Sequence, residues 1–282
     1  MFISVASGKG GTGKTTVAIN MASAAEGPVQ LLDCDVEEPN CHLFLSPVIA
    51  ERIPVTIETP EILLEKCTFC GKCSKACRFN AIAVVPGNAM VFPELCHGCS
   101  GCWLACPESA ICIRERAVGV VEKGKAGKID FVHGKLDVGV ALSPPLIKAV
   151  KRESVMGGVT IIDAPPGASC PMVAAVNCTD FCILVTEPTP FGFHDLAIAV
   201  ETVRKIGVPF GVVINRAGVR YEELYDYLGK EQIEILLEIP FERKYAESYS
   251  SGDILVNVHP ELLPEFSDLI SNVMKRAAES RR

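Results

Sequence analysis

The chain has 282 residues, 49% of them hydrophobic and 22% charged, with a formal net charge of −7. At a usual ~150 residues per domain this length makes about 1.9 domains, and the ordinary globular composition excludes a disordered chain. The acidic balance argues against a broad nucleic-acid footprint, which needs clustered positive charge.

Met1-Phe-Ile-Ser-Val-Ala-Ser7 runs straight into glycines and lysines, without the basic start and apolar run of a secretory leader. No stretch approaches the roughly 18 apolar residues of a membrane helix. A cytoplasmic protein with reduced thiols is expected, in which clustered Cys means metal or redox chemistry. The chain has 14 Cys and one Trp, and eight of those Cys crowd between Cys67 and Cys106.

Apolar runs at Phe2–Ser7, Val29–Leu32, Leu136–Ala141, Val159–Ile162, Phe181–Val185, Phe210–Ile214 and Ile235–Ile239 read as strands. Most are near-continuous, as in a parallel sheet covered on both faces. Helical spacing follows at Thr15–Glu26, at Leu196, Ala199, Val200 and Val203 before Gly207, and at Tyr221–Leu228 before Gly229. From Pro260 to Arg282 an amphipathic helix is expected, with Leu262, Phe266, Leu269, Ile270, Val273 and Met274 on its apolar face. A helix closing the sheet is favoured there over one binding a membrane.

The alternation predicts a doubly wound, mostly parallel α/β sheet. It stops after the second strand and resumes about 75 residues later. One discontinuous α/β domain (1–56 and 132–282) is therefore expected, interrupted by an insert (57–131) rich in Cys, Gly and short turns. Neither flank alone makes a complete sheet.

Gly8-Lys-Gly-Gly-Thr-Gly-Lys14-Thr15 fits G-x4-G-K-[ST] between a strand and a helix, which identifies a P-loop. The backbone of Gly8, Gly10, Gly11, Thr12 and Gly13 and the helix start at Thr15 and Thr16 are expected around the phosphates. Lys14 should reach the β/γ oxygens and Thr15 should ligate Mg²⁺.

The insert carries Cys67-x2-Cys70-x2-Cys73-x3-Cys77 and, 29 residues on, Cys96-x2-Cys99-x2-Cys102-x3-Cys106-Pro107. Structural zinc takes separated C-x2-C pairs, whereas three thiolates at i, i+3 and i+6 followed by a fourth wrap a cuboidal cluster. The doubled run looks like a 2×4Fe-4S ferredoxin module of α+β type, in which each fourth Cys ligates the other cluster. Cys67, Cys70, Cys73 and Cys106 would then hold one cluster, and Cys96, Cys99, Cys102 and Cys77 the other. Ala81–Val84 and Ala110–Ile113 each read as a short strand after a run. Arg78 stands where proline is usual, with no thiolate lost, and His97 is not needed as a ligand. Cys182, in an apolar strand, reads as core.

Lys9, inside the loop, makes the sequence resemble the deviant Walker A motif K-G-G-x-G-K-[ST]-T of the MinD/ParA/nitrogenase-iron-protein superfamily. The resemblance implies that Lys9 crosses a dimer interface to the partner's ATP, so that nucleotide binding closes a homodimer, or a heterodimer with a paralogue. Asp33-Cys-Asp35 resembles that family's switch I, with Asp35 positioning the attacking water and Asp33 supporting Mg²⁺. Val159–Asp163 resembles a Walker B strand with Asp163 near the metal, and Asp163–Gly167 resembles switch II. Asn215 sits where the family reads adenine. Lys9, Lys14, Asp35 and Asp163 are thus the expected catalytic set. Cys170 falls at the spacing of a cluster ligand in the nitrogenase iron protein, but its companion segment Val140–Pro145 has no Cys, so a structural Cys is favoured.

The whole pattern is similar to ATPases of this superfamily with an inserted ferredoxin, a group typical of anaerobes. The expected function is a nucleotide-driven dimer switch coupled to electron transfer toward a redox protein. The alternatives are an iron-sulfur carrier like the Mrp group, and a positioning ATPase with a redox sensor. Neither nucleic acid nor membrane is an expected partner.

Overall fold

The computed structural model describes residues 1–280. In chain order the strands are β1 (Phe2–Ala6), β2 (Val29–Asp33), β3 (Val48–Ile62), β4 (Ile82–Val85), β5 (Asn88–Val91), β6 (Ile111–Ala126), β7 (Ile129–Leu136), β8 (Val159–Asp163), β9 (Phe181–Thr186), β10 (Phe210–Ala217) and β11 (Ile235–Pro240). The helices are α1 (Lys14–Ala24), α2 (Cys41–Leu45), α3 (Lys72–Ala76), α4 (Gly101–Leu104), α5 (Pro144–Arg152), α6 (Cys170–Val176), α7 (Pro190–Ile206), α8 (Glu222–Lys230), α9 (Arg243–Ser250), α10 (Leu255–Val258) and α11 (Leu262–Ser280).

Strands with no polar face must be covered on both sides, and β2, β8 and β9 are buried at every residue. They lie inside a nine-stranded sheet of order β11-β10-β9-β1-β8-β2-β7-β6-β3. The pairings from β11 through β7 are parallel, and β6 and β3 add antiparallel at the end. Side-chain alternation splits each strand between two cores. Ile3, Val5 and Ile161 pack with Met21 of α1 and Phe266 and Val273 of α11. Leu32, Ile162 and Leu184 pack with Leu146, Met172, Leu196 and Leu224 of α5 to α8.

The C-terminal amphipathic helix is present and closes the sheet, burying Leu262, Phe266, Leu269, Ile270 and Val273. Met274, expected on that face, is instead 42% exposed. Residues 281–282, the end of the expected helix, lie outside the described residues. Gly207 ends α7 with φ 80°, as the sequence implies, but Gly229 sits within α8 and stops nothing. No helix among the described residues is long and apolar enough to cross a membrane.

The middle of the chain differs most from expectation. β3 crosses the expected 56/57 boundary, β7 crosses 131/132, and the strand expected at Leu136–Ala141 lies earlier, at Ile129–Leu136. Gly139 at φ +85° turns the chain just beyond it. β3 and β6 form a long antiparallel arm, paired from Val48↔Lys125 to Ile62↔Ile111. Pro54 and Pro60 are tolerated because β3 is an edge strand. The cysteine-rich part, residues 63–110, hangs from the far end of this arm and contains α3, α4 and the β4–β5 hairpin. The second of the short strands expected after the Cys runs is the start of the arm strand β6.

Candidate functional site

The turn between β1 and α1 uses glycine where no other residue fits. Gly13 has φ +93°, and a Cβ there would lie 2.2 Å from the Asn215 amide nitrogen. A Cβ on Gly8 would lie 2.0 Å from the Asp195 carbonyl oxygen. The loop is braced by Ser7 Oγ, which donates to the Lys9 carbonyl at 2.7 Å, and by Asn215 Nδ2, which donates to the Thr12 carbonyl at 2.8 Å. Gly13→Ala is expected to weaken nucleotide binding at least about 10-fold and to cost about 1–2 kcal/mol of stability, read by isothermal titration and urea unfolding. Unchanged affinity would mean that the loop is softer than this packing implies.

Parallel strands deliver their C-terminal ends to one side of the sheet, which brings Asp33 of β2 and Asp163 of β8 beside α1. Lys14 Nζ lies 3.1 Å from Asp35 Oδ2 and 3.9 Å from Asp163 Oδ1. Thr15 Oγ1 donates to Asp163 Oδ2 at 2.6 Å. Asp33 Oδ1 accepts from the Asp35 N–H at 3.1 Å, and its Oδ2 accepts from the N–H groups of Asn40 at 3.1 Å and Cys41 at 3.0 Å. Burial opposes the Lys14 charge, but Asp163 and then Asp35 outweigh it, leaving its pKa pushed up to about 12. Burial, then the neighbouring Asp163, raises Asp33, and burial raises Asp35 against the pull of Lys14.

Donor atoms of Asp33, Cys41 and Asp163 lie within 4.8 Å of one another, all buried. Asp163 Oδ1 is buried without a hydrogen-bond partner. This excess of buried carboxylate oxygen beside the Thr15 hydroxyl fits a hard divalent cation such as Mg²⁺. A pocket of about 450 Å³ opens in front of it. Its walls include Gly10, Gly11, Gly13, Lys14, Thr15 and Thr16, with Asp35 and Asn215. Phe241, Tyr245 and Tyr249 form an apolar wall opposite. They carry no motif, and the only sequence signal for them is that Phe241 follows the carboxyl end of β11. Lys9 is half-buried and does not line the pocket. Among the described residues it forms no ion pair.

The second centre is built from the cysteine runs, which are separate in sequence and crossed in space. Cys67, Cys70, Cys73 and Cys106 line one cavity, and Cys77, Cys96, Cys99 and Cys102 line another. The halves repeat each other in detail. Cys67 Sγ accepts from the Phe69 N–H at 3.4 Å and Cys96 Sγ from the Gly98 N–H at 3.5 Å. Cys77 Sγ accepts from the Ala81 N–H and Cys106 Sγ from the Ala110 N–H, each at 3.3 Å. All are free thiols. Burial pushes the Cys73 and Cys102 thiols up, and a metal taken up there would displace their protons. Four sulfurs per cavity with N–H donors aimed at them fit the donor set of a 4Fe-4S cluster. His97 stacks on Phe79 with ring centroids 3.7 Å apart. Cys170 opens α6, exposed, and Cys182 is buried with its pKa pushed up to about 12 by burial.

A profile of the CobQ/CobB/MinD/ParA nucleotide binding domain matches residues 3–256. Two uncharacterized proteins of Methanocaldococcus jannaschii are similar: one is 28% identical over 265 residues, covering 90% of each chain, and the other 32% identical over 223 residues, covering 78% of this chain and 79% of the relative. A third relative in that organism, described as an uncharacterized ATP-binding protein, is 26% identical over 243 residues, covering 84% of this chain and 71% of its own. Among solved structures, the septum site-determining protein MinD of Pyrococcus horikoshii, complexed with Mg-ADP, superposes with TM-score 0.58 at 21% identity, over 98% of this chain and 96% of that one. MinD of Pyrococcus furiosus gives 0.57 at 22% identity, over 97% and 98%.

Proposed function

Because this chain belongs to the CobQ/CobB/MinD/ParA nucleotide-binding domain family, we propose that it binds and hydrolyses ATP with Mg²⁺ in a nucleotide-dependent dimer and couples this cycle to electron transfer through two 4Fe-4S clusters. The observation that carries the reading is the sorting of eight cysteines from two runs into two four-sulfur cavities on a chain that also has a P-loop. The ATP-binding description of one relative and the Mg-ADP bound to a protein of the same fold support the nucleotide.

In this reading the Gly8–Thr16 loop and the start of α1 cradle the phosphates, and Lys14 leaves Asp35 to neutralise them. Thr15, Asp33 and Asp163 hold the cation, Asp35 orients the attacking water, and Asn215 and the aromatic wall take the base. Cys67, Cys70, Cys73 and Cys106 hold one cluster, and Cys96, Cys99, Cys102 and Cys77 the other. A 4Fe-4S cluster bound in such a cavity supplies one-electron redox chemistry. The complete sulfur sets favour retained clusters over the transferable one of an Mrp-like carrier. The partner in solution is a redox protein.

Anaerobic purification tests the centre: about eight iron per chain, with paramagnetic signals on reduction, is expected. Zinc in place of iron, or no iron after anaerobic reconstitution, would overturn it. Lys9→Ala tests the switch. The half-buried Lys9 lies outside its own pocket wall, so the variant should bind ATP within about threefold of wild type while losing ATP-dependent dimerisation and about 10³-fold in turnover. Light scattering with and without nucleotide decides the first point, and an ATP-driven dimer in the variant would reject this role for Lys9.

A further inference from the structure

One rung of the main sheet is polar from the nucleotide site to the edge. Asp163 of β8 is the Cα partner of Asp33 of β2, Asp33 of His133 of β7, His133 of Glu122 of β6, and Glu122 of Arg52 of β3. The adjoining rung is Ile162, Leu32 and Val132 across the same parallel strands. Asp163 and Asp33 are 0% exposed, His133 1% and Glu122 4%. His133 Nε2 pairs with Glu122 Oε2 at 2.7 Å, Arg52 Nε holds Glu122 Oε1 at 2.9 Å, and Lys135 Nζ lies 3.5 Å from Oε2. Buried charge of this kind is a poor source of stability compared with apolar side chains of similar volume. Stability alone is therefore a weak reason for a polar rung inside an apolar sheet.

The rung has a gap at switch I. With Nε2–H donated to the carboxylate, His133 Nδ1 is an acceptor, and it is buried without a partner. Its neighbour is the ring of His42, 5.2 Å away between centroids, whose own Nδ1 is likewise buried and unpartnered. His42 is the second residue of α2, and the N–H groups just before it, of Asn40 and Cys41, hang on Asp33 Oδ2. A change in the bonds of Asp33 would therefore act on the start of α2, which carries His42. A shift of the His42 ring toward His133 would pair the two unpartnered Nδ1 atoms, one as donor and one as acceptor, and draw His133 away from Glu122. Glu122 and Arg52 in turn join the two strands of the arm whose far ends carry residues 63–110.

We propose that His42, His133 and Glu122 are positioning residues that couple switch I of the nucleotide site to the β3/β6 arm and, through it, to the cysteine module. This rests on the function proposed above and names the internal contact by which nucleotide and module sense each other. A coupled pair of sites must act on each other equally, so ATP alters the arm and the state of the module alters ATP affinity.

Amide hydrogen exchange of full-length protein with and without ATP is the direct test, and it needs no bound iron. In wild type, ATP should change exchange in 48–62 and 111–126 at least about threefold. Glu122→Gln and the apolar pair Glu122→Leu with His133→Phe should bind ATP normally and lose that change. Arg52→Ala, at an exposed edge, should reduce it even if the buried variants do not fold. In protein with iron, the ratio of ATP affinities between oxidised and reduced forms should lie in the range of ~5–150 usual for such coupling and fall to about one in Glu122→Gln. Folded variants that keep the wild-type ATP response would overturn the rung's role. An arm that does not respond to ATP in wild type would overturn it as well. Absence of iron with an intact ATP response of the arm would sink the redox function and leave this coupling standing.

Discussion

Asp163→Asn is expected to raise the stability of the nucleotide-free protein by about 1–2 kcal/mol while slowing nucleotide hydrolysis about 10²–10³-fold. The two effects have one cause. Among the described residues Asp33, Asp35 and Asp163 share one neighbouring cation, Lys14, so three carboxyl groups crowd a buried site. Asp163 Oδ1 has no hydrogen-bond partner. Asparagine keeps an acceptor for Thr15 Oγ1, removes one like charge from Asp33, and offers an N–H to the crowded oxygens. Lys14 keeps Asp35 at 3.1 Å, and the lost attraction to Asp163, 3.9 Å away, subtracts from the gain. The same change deletes the anionic oxygen that the cation needs, so turnover falls while folding gains. Urea unfolding without nucleotide and single-turnover hydrolysis read the two sides. A variant less stable than wild type would show that the carboxylate is held by contacts other than these.

The sheet was legible where strands are apolar on both faces. Residues 159–163 and 181–186 have no polar face, and such runs admit few alternatives to a covered parallel strand. The P-loop was legible because its glycines are demanded by backbone geometry, as the 2.2 Å approach at Gly13 shows. β3, β6 and β7 were not, and the reason is physical. They form the antiparallel end of the sheet, where one edge is free and side chains such as Arg52, Glu122 and Lys135 sit in the strands. Pro54 and Pro60 in β3 read as breakers until the edge position is known. The polar rung and the aromatic wall depend on which strands neighbour each other, which local pattern does not encode. The crossed placement of Cys77 and Cys106 is what the resemblance to a two-cluster ferredoxin implies; spacing alone would equally let each fourth Cys complete its own run.

On the proposed function, removal of iron is expected to unfold residues 63–110 while leaving the nucleotide domain intact. Among the described residues that stretch supplies Ile82 and Cys102 to one small core, whose third buried member, Ile111, belongs to β6 of the arm. So small a core does not offset the chain entropy of ordering about 50 residues without the ligand bonds. The main sheet, with two large cores, has no such dependence. Stripping iron from reduced protein with a chelator under anaerobic conditions should therefore bring amide exchange in 63–110 near that of an unfolded chain, with β1, β8 and β9 still protected and ATP still bound. Because the fourth sulfur of each run lines the other run's cavity, Cys77→Ala alone should open both halves of the module, although it removes one ligand from one site. Protection of 63–110 in iron-free protein would mean that the module folds without ligand bonds, and cluster occupancy would then have no mechanical hold on the arm.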